Sequence, residues 1–147
     1  MTPNAPIPLA PVTPALPARP PRRRDAPACV PVDTLRADAG QLDRLRTAAR
    51  RARAGRQITL REAARGLSCP GVASGAAEAL VRTLSEVLGR RPVFHAPGAP
   101  LASFDETWLL ACLGAQRRHD ADSLAFLVRS RVAAPNRRGF LDLLRVL

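Results

Sequence analysis

Ten of the fifteen prolines in this 147-residue chain fall within the first 31 residues. That placement limits the fold more than any other feature. Proline lacks a backbone N–H and its ring clashes with the preceding helical turn, so this stretch can supply neither a helix interior nor a central strand. Pro8, Pro11, Pro14, Pro17 and Pro20 recur every third residue. That is the period of polyproline II, which aligns five rings along one edge of an extended chain. Residues 1–31 therefore read as a disordered, unpacked arm, semi-rigid where the prolines repeat, that carries Arg22, Arg23 and Arg24. Pro14-Ala15-Leu16-Pro17-Ala18-Arg19 also spells the P-x-x-P-x-R pattern that polyproline readers accept. Residues 32–147 are left to form one helical domain of ordinary small size, with the proline-bearing loop 92–100 as its one candidate internal boundary.

Apolar spacing in that remainder is helical throughout. Asp33 or Thr34 is placed to cap a first helix whose Leu42, Leu45, Ala49 and Ala52 share a face, with Gly55 as its stop. Thr59-Leu60-Arg61-Glu62 is a capping box opening a short helix, and Ser68-Cys69-Pro70-Gly71 breaks the chain after it. Ser74 is placed to cap a third helix with a broad stripe of Ala77, Leu80, Val81, Leu84, Val87 and Leu88, closed by Gly89. Ser103-Phe104-Asp105-Glu106 forms a second capping box, before Trp108 to Leu113, which is apolar nearly all the way round. Arg117, Arg118 and His119 complement that helix's C-terminal dipole, and Asp120 or Asp122 caps the next helix, with Leu124, Leu127 and Val128 on one face. Pro135 suits a final helix start, from which Phe140, Leu143 or Leu144, and Leu147 extend an apolar stripe. The expected fold is all-α, a small bundle of five or six short helices.

Every basic side chain is arginine; there is no lysine, and the net charge is +11. Residues 32–147 alone hold nineteen Arg against eleven acids, a charge of +8. A GC-rich coding background explains the choice of Arg over Lys, but the positive field is real and attracts acidic macromolecules. Hydrophobic residues make up 46% of the chain and aromatics 3%, with no Tyr, so stacking platforms for single-stranded nucleic acid are not expected. Cys29, Cys69 and Cys112 include no C-x-x-C, which argues against a disulfide framework or zinc ribbon and for reduced thiols. No secretory signal or membrane-length apolar run is visible, and the expected location is cytoplasmic.

Arg46, Arg50 and Arg53, at i, i+4 and i+7, form a basic ridge beside the apolar face of the first helix, with Arg44 and Arg51 on the opposite side. With Arg22, Arg23 and Arg24 they are the candidate surface for an acidic protein or, alternatively, for nucleic-acid phosphates bound without sequence preference. Ile58 to Leu67, followed by the helix from Ser74, resembles the helix-turn-helix of bacterial DNA-binding modules over about 30 residues. The resemblance implies DNA contacts along that second helix. The intervening break, however, is longer than the usual turn, and the helix opens with Ser74, Ala76, Ala77 and Glu78 where base-reading donors are needed.

Trp108, Phe140 and Leu144 are candidate protein-partner residues. The competing reading is that they complete the core, where Trp108 and Phe104 would supply the largest buried area. No metal site is expected. Cys112 and His119 share a face but lie about 10 Å apart along an ideal helix. No cofactor is expected either, and the carboxylate pairs Asp105/Glu106 and Asp120/Asp122 stand at helix starts where capping explains them. Without a nucleophile elbow, phosphate loop or histidine–carboxylate motif, the expectation is a non-enzymatic, bacterial-type adaptor or regulator. Direct nucleic-acid binding is the alternative, and a helical domain with no catalytic site, or one that self-associates, is a further one.

Overall fold

A computed structural model describes residues 29–67 and 73–147. Arg22, Arg23 and Arg24, and the chain break at Ser68, Cys69, Pro70 and Gly71, lie outside the described residues. The described chain is all-α, as the spacing predicts, with helices α1 (Ala39–Ala54), α2 (Leu60–Leu67), α3 (Ala73–Leu88), α4 (Phe104–Arg117), α5 (Ala121–Arg131) and α6 (Arg137–Arg145). A two-residue ribbon pairs β1 (Val30–Pro31) antiparallel with β2 (Leu101–Ala102), bringing Val30 opposite Ala102 and Pro31 opposite Leu101. Val30 and Pro31, the end of the segment assigned to the arm, are thus part of the fold.

The first helix starts later than Asp33 and Thr34 suggest. A 3-10 segment, Val32–Asp38, precedes α1 and is kinked at Leu35 (φ −106°, ψ 25°). Thr34 Oγ1 donates to Pro31 O at 2.7 Å instead of capping a helix. Asp38, at the N-cap of α1, makes no capping bond there; its carboxylate pairs with Arg117 at 2.6 Å and so ties the segment to the far end of α4. At the other end of α1 the chain stops at Gly55, where the Arg82 guanidinium packs so close that a Cβ would collide with it.

Both capping boxes form. Thr59 Oγ1 accepts from Glu62 N while Glu62 Oε2 accepts from Thr59 N at 2.7 Å. At α4, Ser103 Oγ accepts from Glu106 N and Glu106 Oε2 accepts from Ser103 N, also at 2.7 Å. Each box satisfies two of the N–H groups that a helix start leaves without partners. Asp120 caps α5 through Ser123 N. Helix α3 begins at Ala73, which puts Ser74 inside the helix, and it ends at Gly89, whose φ of +64° is the left-handed turn that glycine tolerates.

The buried side chains of α1 to α6 form one cluster. Leu42, Leu45, Ala49 and Ala52 of α1 face α3, which buries Ala76, Leu80, Val81, Leu84 and Val87. Trp108, Phe140 and Leu144 are all buried in this cluster, and Phe104, expected beside them, is 48% exposed. The Trp108 and Phe140 rings stack at 5.5 Å between centroids, and Trp108 Nε1 donates to Leu127 O at 3.0 Å. One tryptophan therefore joins α4, α5 and α6 while satisfying its only polar atom. The reading of Trp108, Phe140 and Leu144 as an exposed partner face is corrected accordingly. In a chain this poor in aromatics the largest rings are needed to fill the centre. Leu147, expected to extend the same stripe, lies past the end of α6 and is 44% exposed.

Phe140→Ala should destabilise the fold by about 3–5 kcal/mol, through lost burial and the cavity left behind. Chemical denaturation checks this. A cost near zero would mean that the ring does not belong to the core.

Candidate functional site

The predicted ridge on α1 divides into two kinds of arginine. Arg46 is 1% exposed. Its Nε donates to Glu106 Oε1 at 2.8 Å and its Nη2 to Oε2 at 3.2 Å, while Nη1 and Nη2 donate to the carbonyls of Ala99 and Leu101 at 2.9 and 2.8 Å. This corrects its assignment as a surface ligand. Helical spacing puts Arg46 beside Arg50, but the loop carrying residues 92–102 passes over it and takes its donors. Glu106 also accepts from His95 N at 2.9 Å and, as the capping residue of α4, from Ser103 N. Burial pushes the Glu106 carboxyl up, but the hydrogen bonds from Arg46, Ser103 and His95 outweigh it and hold the group below its ordinary value of 4.5.

Asp105, the neighbouring residue in the first turn of α4, gathers a second set of donors. Arg90 binds it bidentately at 2.6 and 3.0 Å, Arg131 at 2.7 Å and Val93 N at 2.8 Å. Burial raises this carboxyl as well, and the donors from Arg90, Val93 and Arg131 again win, leaving it below 3.8. The Arg131 guanidinium lies 4.8 Å over the Phe104 ring and 5.1 Å over Trp108, which adds cation–π attraction. Arg90 and Arg131 are therefore committed internally.

The rest of the ridge faces solvent. Arg50 is exposed and forms no ion pair among the described residues. Arg53 is exposed too, but its Nη2 donates to Phe94 O at 2.9 Å, so the guanidinium is anchored and its other donors remain available. Arg53 and the exposed Arg91 line the same cleft of about 180 Å³, between α1, α3 and the start of the loop, together with Gln57, Ser85 and Phe94. Arg44 and Arg51 are exposed elsewhere on α1. Asp43 is the one carboxylate on this helix, and its Oδ1 accepts from Gly98 N at 3.3 Å.

Arg91 borders the cleft from the loop and not from α1, a placement that spacing along α1 could not reveal. The helix-turn-helix segment offers less. The side of α3 away from the core carries Glu78, paired with Arg82 at 2.6 Å, and Glu86, which accepts from Leu60 N at 2.8 Å. Two carboxylates there would meet phosphates unfavourably. Cys112 is buried, and burial pushes its thiol up to about 12, so it is held as an inert thiol. Among the described residues no three His, Cys, Asp or Glu side chains converge on one point, and no helix is long and apolar enough to cross a membrane. Comparison with known protein families, with curated proteins and with solved structures returns no match.

Removing one member of the buried pair leaves the other charge without compensation, so Arg46→Met and Glu106→Gln should each cost about 3–5 kcal/mol in denaturant titrations. Both acidic groups of the first turn have folded values below their unfolded ones. Their stabilisation is therefore present at neutral pH and lost as pH falls through the ordinary carboxylate range. Thermal melts should hold level down to about pH 5 and then drop, with a shallower fall in Glu106→Gln. A melt independent of pH down to about 3 would contradict this assignment.

Proposed function

We propose that this protein is a non-enzymatic adaptor that binds an acidic protein partner through the face bearing Arg50, Arg53 and Arg91. The observation that carries this reading is that Arg53 and Arg91, neither paired with a carboxylate among the described residues, line one cleft with the Arg53 guanidinium already held by Phe94 O. Arg46, Arg56, Arg82, Arg90, Arg117, Arg131 and Arg145 are matched to carboxylates. Arg50, Arg53 and Arg91 are exposed and form no ion pair among the described residues, as is also true of Arg44, Arg51, Arg61, Arg65, Arg118, Arg129 and Arg138. What sets Arg53 and Arg91 apart is that they border one cleft on which Arg53 is already anchored. A guanidinium already held by a carbonyl, as Arg53 is, loses less freedom when it meets a carboxylate.

The same surface suits a protein better than bases. Phe94, the one aromatic lining the cleft, is 7% exposed and offers no stacking platform. A cytoplasmic setting accords with the thiol usage, and a copy of this chain is a less suitable partner because its own surface is basic.

Fluorescence anisotropy with a labelled Asp/Glu-rich peptide and with duplex DNA, each at low and physiological salt, tests the proposal. The acidic peptide should bind at low salt, weaken as salt rises, and lose about tenfold or more in affinity in Arg50→Ala/Arg53→Ala/Arg91→Ala. Arg50→Ala and Arg91→Ala should each shift stability by no more than about 0.5 kcal/mol, and Arg53→Ala, which removes the hydrogen bond to Phe94 O, by about 0.5–1.5 kcal/mol. Unchanged binding in the triple variant would overturn the assignment. Tighter binding to DNA with a steep salt slope would replace the protein partner with nucleic acid.

A further inference from the structure

A groove runs along α4, and nothing among the described residues fills it. Its floor is Leu110, Ala111 and Gly114 of α4. Leu35 of the 3-10 segment forms one wall and Phe126 and Leu127 of α5 the other, enclosing about 700 Å³. Thr107, Phe126 and Leu127 continue it into a second hollow over Phe104 and Trp108. Phe126 is 72% exposed and Phe104 48%, so two of the four phenylalanines in the chain stand in water along this line. A contiguous aromatic surface of this kind marks a contact site.

The path of the chain indicates an occupant. Twenty-eight residues precede Cys29, and β1 pairs with Leu101–Ala102, which lead through Ser103 directly into Phe104. The N-terminal segment is therefore tethered at the Phe104 end of the groove. We propose that the proline repeat between Pro8 and Pro20 of this same chain packs along the groove as polyproline II, its rings against Phe126 and Phe104.

Dimensions and chemistry agree. The fourteen residues of α4 span about 21 Å. Seven residues in polyproline II, which present three successive prolines of the repeat, cover about 20 Å. Pro20 is nine residues from Cys29, a reach of up to about 30 Å, enough to enter the groove from that end. Proline-rich segments dock on aromatic-lined grooves because their extended form is already ordered and little entropy is lost. A short tether supplies an effective concentration in the millimolar range, so even a weak contact is populated.

NMR on the full chain tests this against Pro11→Ser/Pro14→Ser/Pro17→Ser and Phe126→Ala, neither of which removes a buried side chain described here. The expected result is NOEs between proline ring protons and the Phe126 ring, with amide shifts at Thr107, Ala111 and Phe126 in the proline variant that persist on dilution. In Phe126→Ala the arm resonances should move to those of a free peptide of residues 1–28. Groove amides unmoved by the proline changes, or arm resonances unmoved by Phe126→Ala, would overturn the proposal. Contacts that vanish on dilution would also overturn it, since they would place the arm of a second copy in the groove.

Discussion

Two consecutive carboxylates in the first turn of α4 organise much of this molecule. Glu106 accepts two hydrogen bonds from Arg46 and one each from the amides of Ser103 and His95, while Asp105 accepts from Arg90 twice, from Arg131 and from the amide of Val93. The residues so gathered come from α1, from the loop entering and leaving Val93, and from α5. A loop with three prolines in nine residues has few backbone hydrogen bonds of its own. Its amides and carbonyls need outside partners, and α4 and α1 supply them. The helix N-terminus favours both negative charges, and each carboxylate is matched to arginine, so the desolvation cost of burying them is offset.

That arrangement also withdraws Arg46, Arg90 and Arg131 from the pool of available arginines. In a chain with 23 Arg and 12 acids, an excess of guanidinium is inevitable, and the fold decides where the excess appears. Along α1, Asp43, Arg46 and Arg53 all reach the loop, through Gly98 N, Glu106 with two carbonyls, and Phe94 O. Arg50, between the last two, is exposed and forms no ion pair among the described residues, and Arg91 joins Arg53 at the cleft because the loop is held where it is. The cleft bordered by Arg53 and Arg91 and the groove along α4 share no lining residue, the first formed by α1, α3 and the loop and the second chiefly by α4 and α5.

Local features were largely legible in the sequence. Thr59 with Glu62 and Ser103 with Glu106 are capping boxes at the predicted positions, Gly55 and Gly89 end helices, and Asp120 caps α5. What escaped was pairing over long sequence separation. Capping accounts fully for Glu106, so nothing in its neighbourhood signals that it also binds Arg46, sixty residues away. Arg46 has the same spacing as Arg50 and Arg53, and only the path of the loop separates a clamp from a surface ligand. Phe104 and Trp108 are nearly adjacent on α4 and equally apolar. The indole stacks on Phe140 from α6, while the Phe104 ring is left outside beneath Arg131. Such differences depend on where distant elements cross, which periodicity does not encode.

The central claim is that Arg46 and Glu106 hold the loop in place. Amide hydrogen exchange of the native protein and of Arg46→Met, compared residue by residue, tests it most directly. The account predicts that the amides of His95 and Ser103 exchange about tenfold or more faster in the variant, beyond any change set by global unfolding, while the centre of α3 follows global stability alone. Protection at His95 and Ser103 that changes only in step with α3 would contradict it.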